Sequence, residues 1–292
     1  MIHHIPSDAT LLIVSDVDGT LLDHGHFPLP PARMRDCIAE QLARRKAPTV
    51  LALASSRSLI ELVLLQRLLG VTGPLIAEDG GILALDRELP PRPTDDEPDI
   101  VQHAERFAIE RIGLNATELR RRIRLIDSVY PWPVLADMNS AELASRGFRT
   151  PGAVRRAIMS REASVLLDLD PLDSVRRRHF LDTAQRYGVQ VKRGGRWCTA
   201  VSGADKGRAL HRLRLAVARR FRLPLHVVAI GNEENDAALL AQADLPLIIR
   251  NPGRGHHRDL LAVPNAIPLE DEGTAGFLEM FRIINERAGG VT

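Results

Sequence analysis

The sequence predicts an α/β protein, a doubly wound parallel sheet of Rossmann-like type into which an α+β domain is inserted. Three observations carry this. Short apolar runs alternate with stretches of helical period, the runs lack polar alternation, and the pattern stops after Leu89 and resumes at Lys206. An apolar run with no polar face suits a parallel strand covered by helices on both sides.

The elements follow in order. LLIVSDV is the first strand, ARMRDCIAEQLARR a helix, TVLALAS a second strand, LIELVLLQRLLG a second helix and PLIAEDGG a third strand ending in a glycine turn. The proline- and acid-rich PPRPTDDEPD then reads as a connector. Arginine-rich helices and strand candidates such as SVLLDLD and VQVKR follow, to about Trp197. From Lys206 the first texture returns, with GRALHRLRLAVARRF, HVVAIG, NDAALLAQA and LPLIIRNP as helix, strand, helix and strand. The expected organisation is core over 1–86, insert over 87–197 and core again over 198–292. No internal repeat interrupts it.

Composition bounds the function. With 292 residues and 45% hydrophobic content the chain can bury a real core. Lysine and arginine number 39 against 37 acidic residues, a net +2, which gives no electrostatic case for nucleic acid as partner. Cys37 and Cys198 form neither a zinc spacing nor a disulfide framework. No apolar run approaches the roughly 20 residues that span a bilayer, so no membrane partner is expected. The chain reads as a soluble cytoplasmic protein, and nothing in the pattern specifies an oligomeric state.

The stretch with chemical content is DVDGT, which places Asp16 and Asp18 at the end of a buried strand. In open parallel sheets ligands bind beyond the carboxyl ends of the strands, so these carboxylates stand where such a fold builds its site. A second strand delivers Ser55, Ser56 and Arg57 to the same edge, and hydroxyls at a helix start suit a phosphate. SGADKG puts Lys206 at a helix start, where a cation opposes the helix dipole unless an anion faces it. HVVAIGNEEND ends a strand in Asn232, Glu233, Glu234, Asn235 and Asp236, oxygen donors that complete a Mg²⁺ ligand set beside DVDGT.

These segments, in this order, resemble the four motifs of the haloacid dehalogenase superfamily of phosphatases, with the insert where that family places its larger type of cap. REASVLL, GGRWCTAVSGADKGRAL and GNEENDAALLAQADLPLIIRNP further resemble the mannosyl-3-phosphoglycerate phosphatase branch. The resemblance implies a Mg²⁺-dependent phosphatase acting on a phosphorylated sugar or phosphoglycerate. Asp16 would be the nucleophile that forms an aspartyl-phosphate, and Asp18 the acid and base. Ser55, Ser56 and Lys206 would hold phosphoryl oxygens. Asp16, the backbone carbonyl of Asp18, Asn232 and Asp236 would hold the metal.

One residue departs from the pattern. The family has aspartate where this chain has Asn232, so Asp236 or a neighbouring glutamate is expected to carry more of the metal. Two other readings stay open: another phosphosugar phosphatase or a phosphomannomutase-like phosphotransferase, and a non-catalytic phosphosugar-binding protein. In the insert, Arg161 and Arg196 are the candidates for substrate contact, because arginine pairs bidentately with a carboxylate. Trp197 suits either a sugar platform or a packed position.

Overall fold

The computed structural model describes residues 4–23, 32–87, 106–126, 133–194 and 197–288. The strands are β1 (Thr10–Ser15), β2 (Thr49–Ala54), β3 (Leu75–Ala77), β4 (Ile82–Asp86), β5 (Phe107–Arg111), β6 (Val165–Leu167), β7 (Gln190–Arg193), β8 (Cys198–Val201), β9 (Leu225–Gly231), β10 (Leu245–Arg250) and β11 (Ile267–Glu272). The helices are α1 (Ala32–Ala43), α2 (Leu59–Leu69), α3 (Ala116–Ile126), α4 (Ser140–Ser145), α5 (Pro151–Val154), α6 (Ser174–Arg186), α7 (Lys206–Phe221), α8 (Ala237–Leu240), α9 (Arg258–Leu261) and α10 (Gly273–Ala288).

The larger sheet has the order β11-β10-β9-β1-β2-β3-β4-β5. Its first six strands run parallel, while β4 turns back antiparallel to β3 and β5 pairs antiparallel to β4 at the edge. The unbroken apolar runs are explained by two hydrophobic layers. Along β1, Leu11 and Ile13 join Met34, Ile38, Leu62 and Phe277 on one face. Leu12 and Val14 join Leu210, Leu213, Val217 and Leu240 on the other. With both faces covered there is no position for a polar residue to alternate into.

The insert forms a three-stranded antiparallel sheet, β6-β8-β7. One face packs α3 and α6 through Leu119, Ile123, Phe180 and Ala184 against Val165, Leu167 and Ala200. On the opposite face Leu166 packs with Leu135, Leu143 and Ile158, and Trp197 stacks on Phe148 at 5.9 Å between ring centroids. Trp197 is thus used for packing within the insert.

The two units meet differently from the expected boundaries. Residues 107–111, expected in the insert, hydrogen-bond as β5 on the edge of the larger sheet, and residues 198–201, expected in the core, are the central strand of the smaller one. The proline- and acid-rich connector itself lies outside the described residues, and strand pairing decides which sheet a segment joins. The chain crosses between the sheets at Gly113 and Gly203, both with positive φ. The crossing is tight: a Cβ on Gly113 would lie 2.0 Å from the Ser202 carbonyl oxygen, and Leu114 N donates to that oxygen at 3.1 Å. Among the described residues no helix is long and apolar enough to cross a membrane.

Candidate active site

β1, β2, β3 and β9 lie side by side, and each ends at the same edge of the sheet. The Asp16 amide continues the β1–β9 pairing by donating to Ile230 O at 2.9 Å, so its side chain leaves the sheet at a fixed point. Gly19 takes a positive φ of 84°, and the turn closes through Gly19 N to Leu22 O and Leu22 N to Val17 O. A residue with Cβ is disfavoured in that conformation, which accounts for glycine there.

Lys206, the first residue of α7, is fully buried, and its ammonium lies 2.6 Å from Asp16 Oδ1 and 2.6 Å from Asp236 Oδ1. Two carboxylates therefore answer the cation that the helix start disfavours. Burial opposes the Lys206 charge, but Asp16 and Asp236 outweigh it and hold the ammonium well above its ordinary pKa. Asp16 is pushed up to about 7, first by burial and then by the Asp236 carboxylate, with Lys206 pulling the other way.

The other oxygen of Asp236 accepts from the amides of Asn232 at 3.0 Å and Glu233 at 3.2 Å. Asp236, expected to carry extra metal, thus has both oxygens engaged in fixing Lys206 and its own turn. Asn232 is also fully buried. Its Oδ1 accepts from Thr20 Oγ1 at 3.2 Å, and its Nδ2 donates to Asn251 Oδ1 at 2.7 Å. Asn251 Nδ2 returns a bond to Asn232 O at 2.9 Å. The amide at 232 is matched by a second amide that an aspartate could not satisfy.

Asp18 is clamped by Arg57, whose Nε and Nη2 donate to Oδ2 and Oδ1 at 2.8 and 2.5 Å. Burial works against the Arg57 charge, yet the Asp18 pairing raises its pKa. Ser55 is buried, and its Oγ accepts from the Arg57 amide at 3.2 Å. Ser56 is half-buried beside it.

Arg161, expected to meet substrate, instead donates to Ala157 O at 2.7 Å and, through Nη1, to Ser56 O and Ser164 Oγ, both at 2.9 Å. The insert passes directly over the β2 loop at this point, so the guanidinium ties the two units together. Arg196 lies outside the described residues.

Two carboxylates escaped the sequence reading, where AEDGGI was only a tight turn. Glu78 and Asp79 both have positive φ, 56° and 54°, and both are buried. Such backbone costs about 1 kcal/mol or more per residue and persists only where surroundings hold it. Here Glu78 N donates to Arg57 O and Asp79 N to Ser55 O. The Glu78 carboxylate accepts from Glu162 N, Ala163 N and Ser164 Oγ at 3.0, 2.9 and 2.7 Å, latching the insert to the core. Asp79 Oδ1 accepts from Asn235 Nδ2 at 3.0 Å. The available signal was the pair of acids set directly before Gly80-Gly81.

The donor set fits a hard divalent cation. Two carboxylates, Asp16 and Asp236, share one buried ammonium, which leaves surplus negative charge beside Asp16. Among the described residues no hydrogen bond occupies Asp16 Oδ2, and Asn232 Oδ1 is a further hard oxygen at the same strand ends. Oxygen-only coordination with few carboxylates is what Mg²⁺ takes.

No protein-family model matches the chain. A glucosyl-3-phosphoglycerate/mannosyl-3-phosphoglycerate phosphatase of Persephonella marina is 25% identical over 281 residues, covering 94% of this chain and 98% of that protein. A phosphoglycolate phosphatase of Methanopyrus kandleri is 29% identical over 270 residues, covering 92% and 96%. Among solved structures, a phosphatase of the haloalkanoate enzyme superfamily from Bacteroides thetaiotaomicron superposes with a TM-score of 0.62 at 14% identity, covering 95% of this chain and 97% of that one.

Proposed function

We propose, from the premise that this chain is a phosphatase of the haloacid dehalogenase superfamily, that it hydrolyses a glycosyl-3-phosphoglycerate through a phosphorylated Asp16. The single observation that carries the reading is the Asp16–Lys206–Asp236 chain at the sheet's carboxyl edge, a nucleophile with one oxygen held and the other open.

Asp16 Oδ2 attacks phosphorus in line, the bond to the alcohol oxygen breaks, and the acyl phosphate forms on Asp16. Lys206 offsets charge on the transferring group, while Ser55 and Ser56 offer hydroxyl and amide donors to its oxygens. Asp18 gives its proton to the departing alcohol and then takes one from the water that hydrolyses the acyl phosphate. Both Asp18 oxygens accept from Arg57, so this duty requires the Arg57 fork to open when substrate enters. Asp16, the Asp18 carbonyl and Asn232 would hold Mg²⁺, which would supply charge neutralisation between nucleophile and phosphate. Two unbridged cysteines, Cys37 and Cys198, accord with a reducing cytoplasm.

The substrate class rests on what the two relatives' names share. Phosphoglycerate and phosphoglycolate esters both carry a carboxylate on the alcohol half. Glycosyl-3-phosphoglycerate takes first place because the insert's second half and the GNEEND segment resemble that branch. Phosphoglycolate is the second reading, favoured by the 29% identity to the Methanopyrus enzyme.

The test is phosphate release with and without Mg²⁺ from mannosyl- and glucosyl-3-phosphoglycerate, phosphoglycolate, mannose-6-phosphate and sucrose-6-phosphate, with Asp16→Asn as blank. Metal-dependent turnover confined to the acidic esters supports the proposal. Wild type matching the blank on every ester overturns it in favour of a binding protein.

A further inference from the structure

Two buried charged atoms at the boundary of insert and core have no hydrogen-bond partner among the described residues, and the mechanism above uses neither: Nζ of Lys192 and Oδ2 of Asp79. Strand alternation explains how the lysine reaches this place. Its neighbour Val191 packs into the insert's own core, so Lys192 projects from the opposite face of β7. β7 contacts the Glu234–Asp236 turn and β8 contacts the Glu78–Gly80 turn, so this part of the insert lies over the loops that surround Asp16. Close approach continues one turn on, where a Cβ on Gly194 would lie 3.4 Å from Ser56 Oγ.

The charges that act on Lys192 are Asp79, Asp205, Lys206 and Asp236, and burial pulls its pKa down. Among these, Asp79 is also short of a partner on one oxygen, yet no ion pair joins the two. A buried ammonium and a buried carboxylate oxygen held apart beside a nucleophile suit a ligand that bridges them. The ammonium, with donors only, calls for an anionic acceptor. Asp79 already accepts from Asn235 on Oδ1, and its second oxygen calls for a donor such as a hydroxyl.

We propose that Lys192 and Asp79 form the subsite for the leaving alcohol, Lys192 pairing with its carboxylate and Asp79 Oδ2 accepting from a neighbouring hydroxyl. This rests on the acidic phosphomonoester reading above and deepens it. In a glycosyl-3-phosphoglycerate, whose glycerate 2-oxygen is glycosylated, that hydroxyl belongs to the sugar, and an acid lacking it, such as phosphoglycolate, engages Lys192 alone.

The test compares 3-phosphoglycerate with glycerol 3-phosphate, which differ by a carboxylate in place of a hydroxymethyl group. Binding of each is measured by calorimetry with Mg²⁺ on the full chain carrying Asp16→Asn, which prevents turnover. The background variant is expected to prefer the acid by about tenfold or more, the range of one charge-assisted hydrogen bond. Adding Lys192→Gln removes the preference while glycerol 3-phosphate binds as before, and adding Lys192→Arg retains it. Equal weakening of both ligands by Lys192→Gln, or a preserved preference, overturns the proposal. Asp79→Asn separates the second half, weakening turnover of glycosyl-3-phosphoglycerate while sparing phosphoglycolate. Failure of the phosphatase reading is seen separately, as no phosphate release from any ester by wild type, and leaves the binding comparison decisive.

Discussion

Replacing Asn232 by aspartate restores the acid that related motifs carry, and the structure makes its cost calculable. The Asn232 amide nitrogen donates to Asn251 Oδ1 at 2.7 Å, so a carboxylate there sets acceptor against acceptor. Turning the Asn251 amide over would relieve that contact but forfeit its 2.9 Å bond to Asn232 O. Either way one buried group loses its partner, at about 1–3 kcal/mol. A third carboxylate also joins Asp16 and Asp236 around the single Lys206 ammonium, with both flanking carboxylates 2.6 Å from it. Taking about 3 kcal/mol in all, and about 2 °C per kcal/mol for a chain of this size, metal-free Asn232→Asp melts roughly 6 °C below wild type. Mg²⁺ then narrows the gap to roughly 3 °C, because a charged ligand in place of a neutral one binds on the order of tenfold more tightly, about 1.4 kcal/mol at saturation. Thermal denaturation in chelator and in millimolar Mg²⁺, with calorimetric titration, reads both effects. An unchanged metal-free melting point together with unchanged Mg²⁺ affinity refutes the placement of Asn232 at the metal.

Four further outcomes follow from the same geometry. Asp16 keeps its proton up to about pH 7 in the metal-free protein, so Mg²⁺ affinity measured by calorimetry rises with pH to that point and levels off above it. The raised carboxylate pKa also means that the metal-free fold loses stability as pH climbs from the ordinary carboxylate range toward about 7, which urea melts in chelator will detect. Glu78→Gln turns one acceptor of the Glu162, Ala163 and Ser164 donors into a donor, costs about 1–3 kcal/mol, and speeds tryptic cleavage of the insert. Gly113→Ala drives a Cβ to 2.0 Å from Ser202 O and costs about 3 kcal/mol or more, whereas Gly203→Ala meets nothing nearer than 3.6 Å and costs only about 1 kcal/mol of backbone strain, a contrast that denaturant titration resolves.

The sheet was legible in the sequence because strands buried on both faces have no polar positions, and the motif residues were legible because a parallel sheet brings its strand ends to one edge. Asp16 and Lys206 are therefore in contact, and Ser55 and Asn232 follow the ends of neighbouring strands at the same edge. What local pattern could not express was long-range pairing. β5 follows a proline-rich stretch of sequence that reads as a boundary, yet joins the core sheet through β4. Arg161 reads as a candidate for substrate contact, but its Nη1 donates to Ser56 and Ser164, 105 and 3 positions away. Asp236 reads as a metal ligand, but its partner is a lysine 30 residues upstream. Glu78, Asp79 and Lys192 draw their character from burial between two units, which no local period records.

The account turns on phosphoryl transfer to Asp16, and the most direct measurement is acid-quenched mass spectrometry of the enzyme during turnover of mannosyl-3-phosphoglycerate with Mg²⁺. The peptide containing Asp16 should carry one phosphoryl group that hydroxylamine removes, and Asp16→Asn should carry none. Steady phosphate release with no phosphorylated peptide, or a phosphoryl group on another residue, would contradict it.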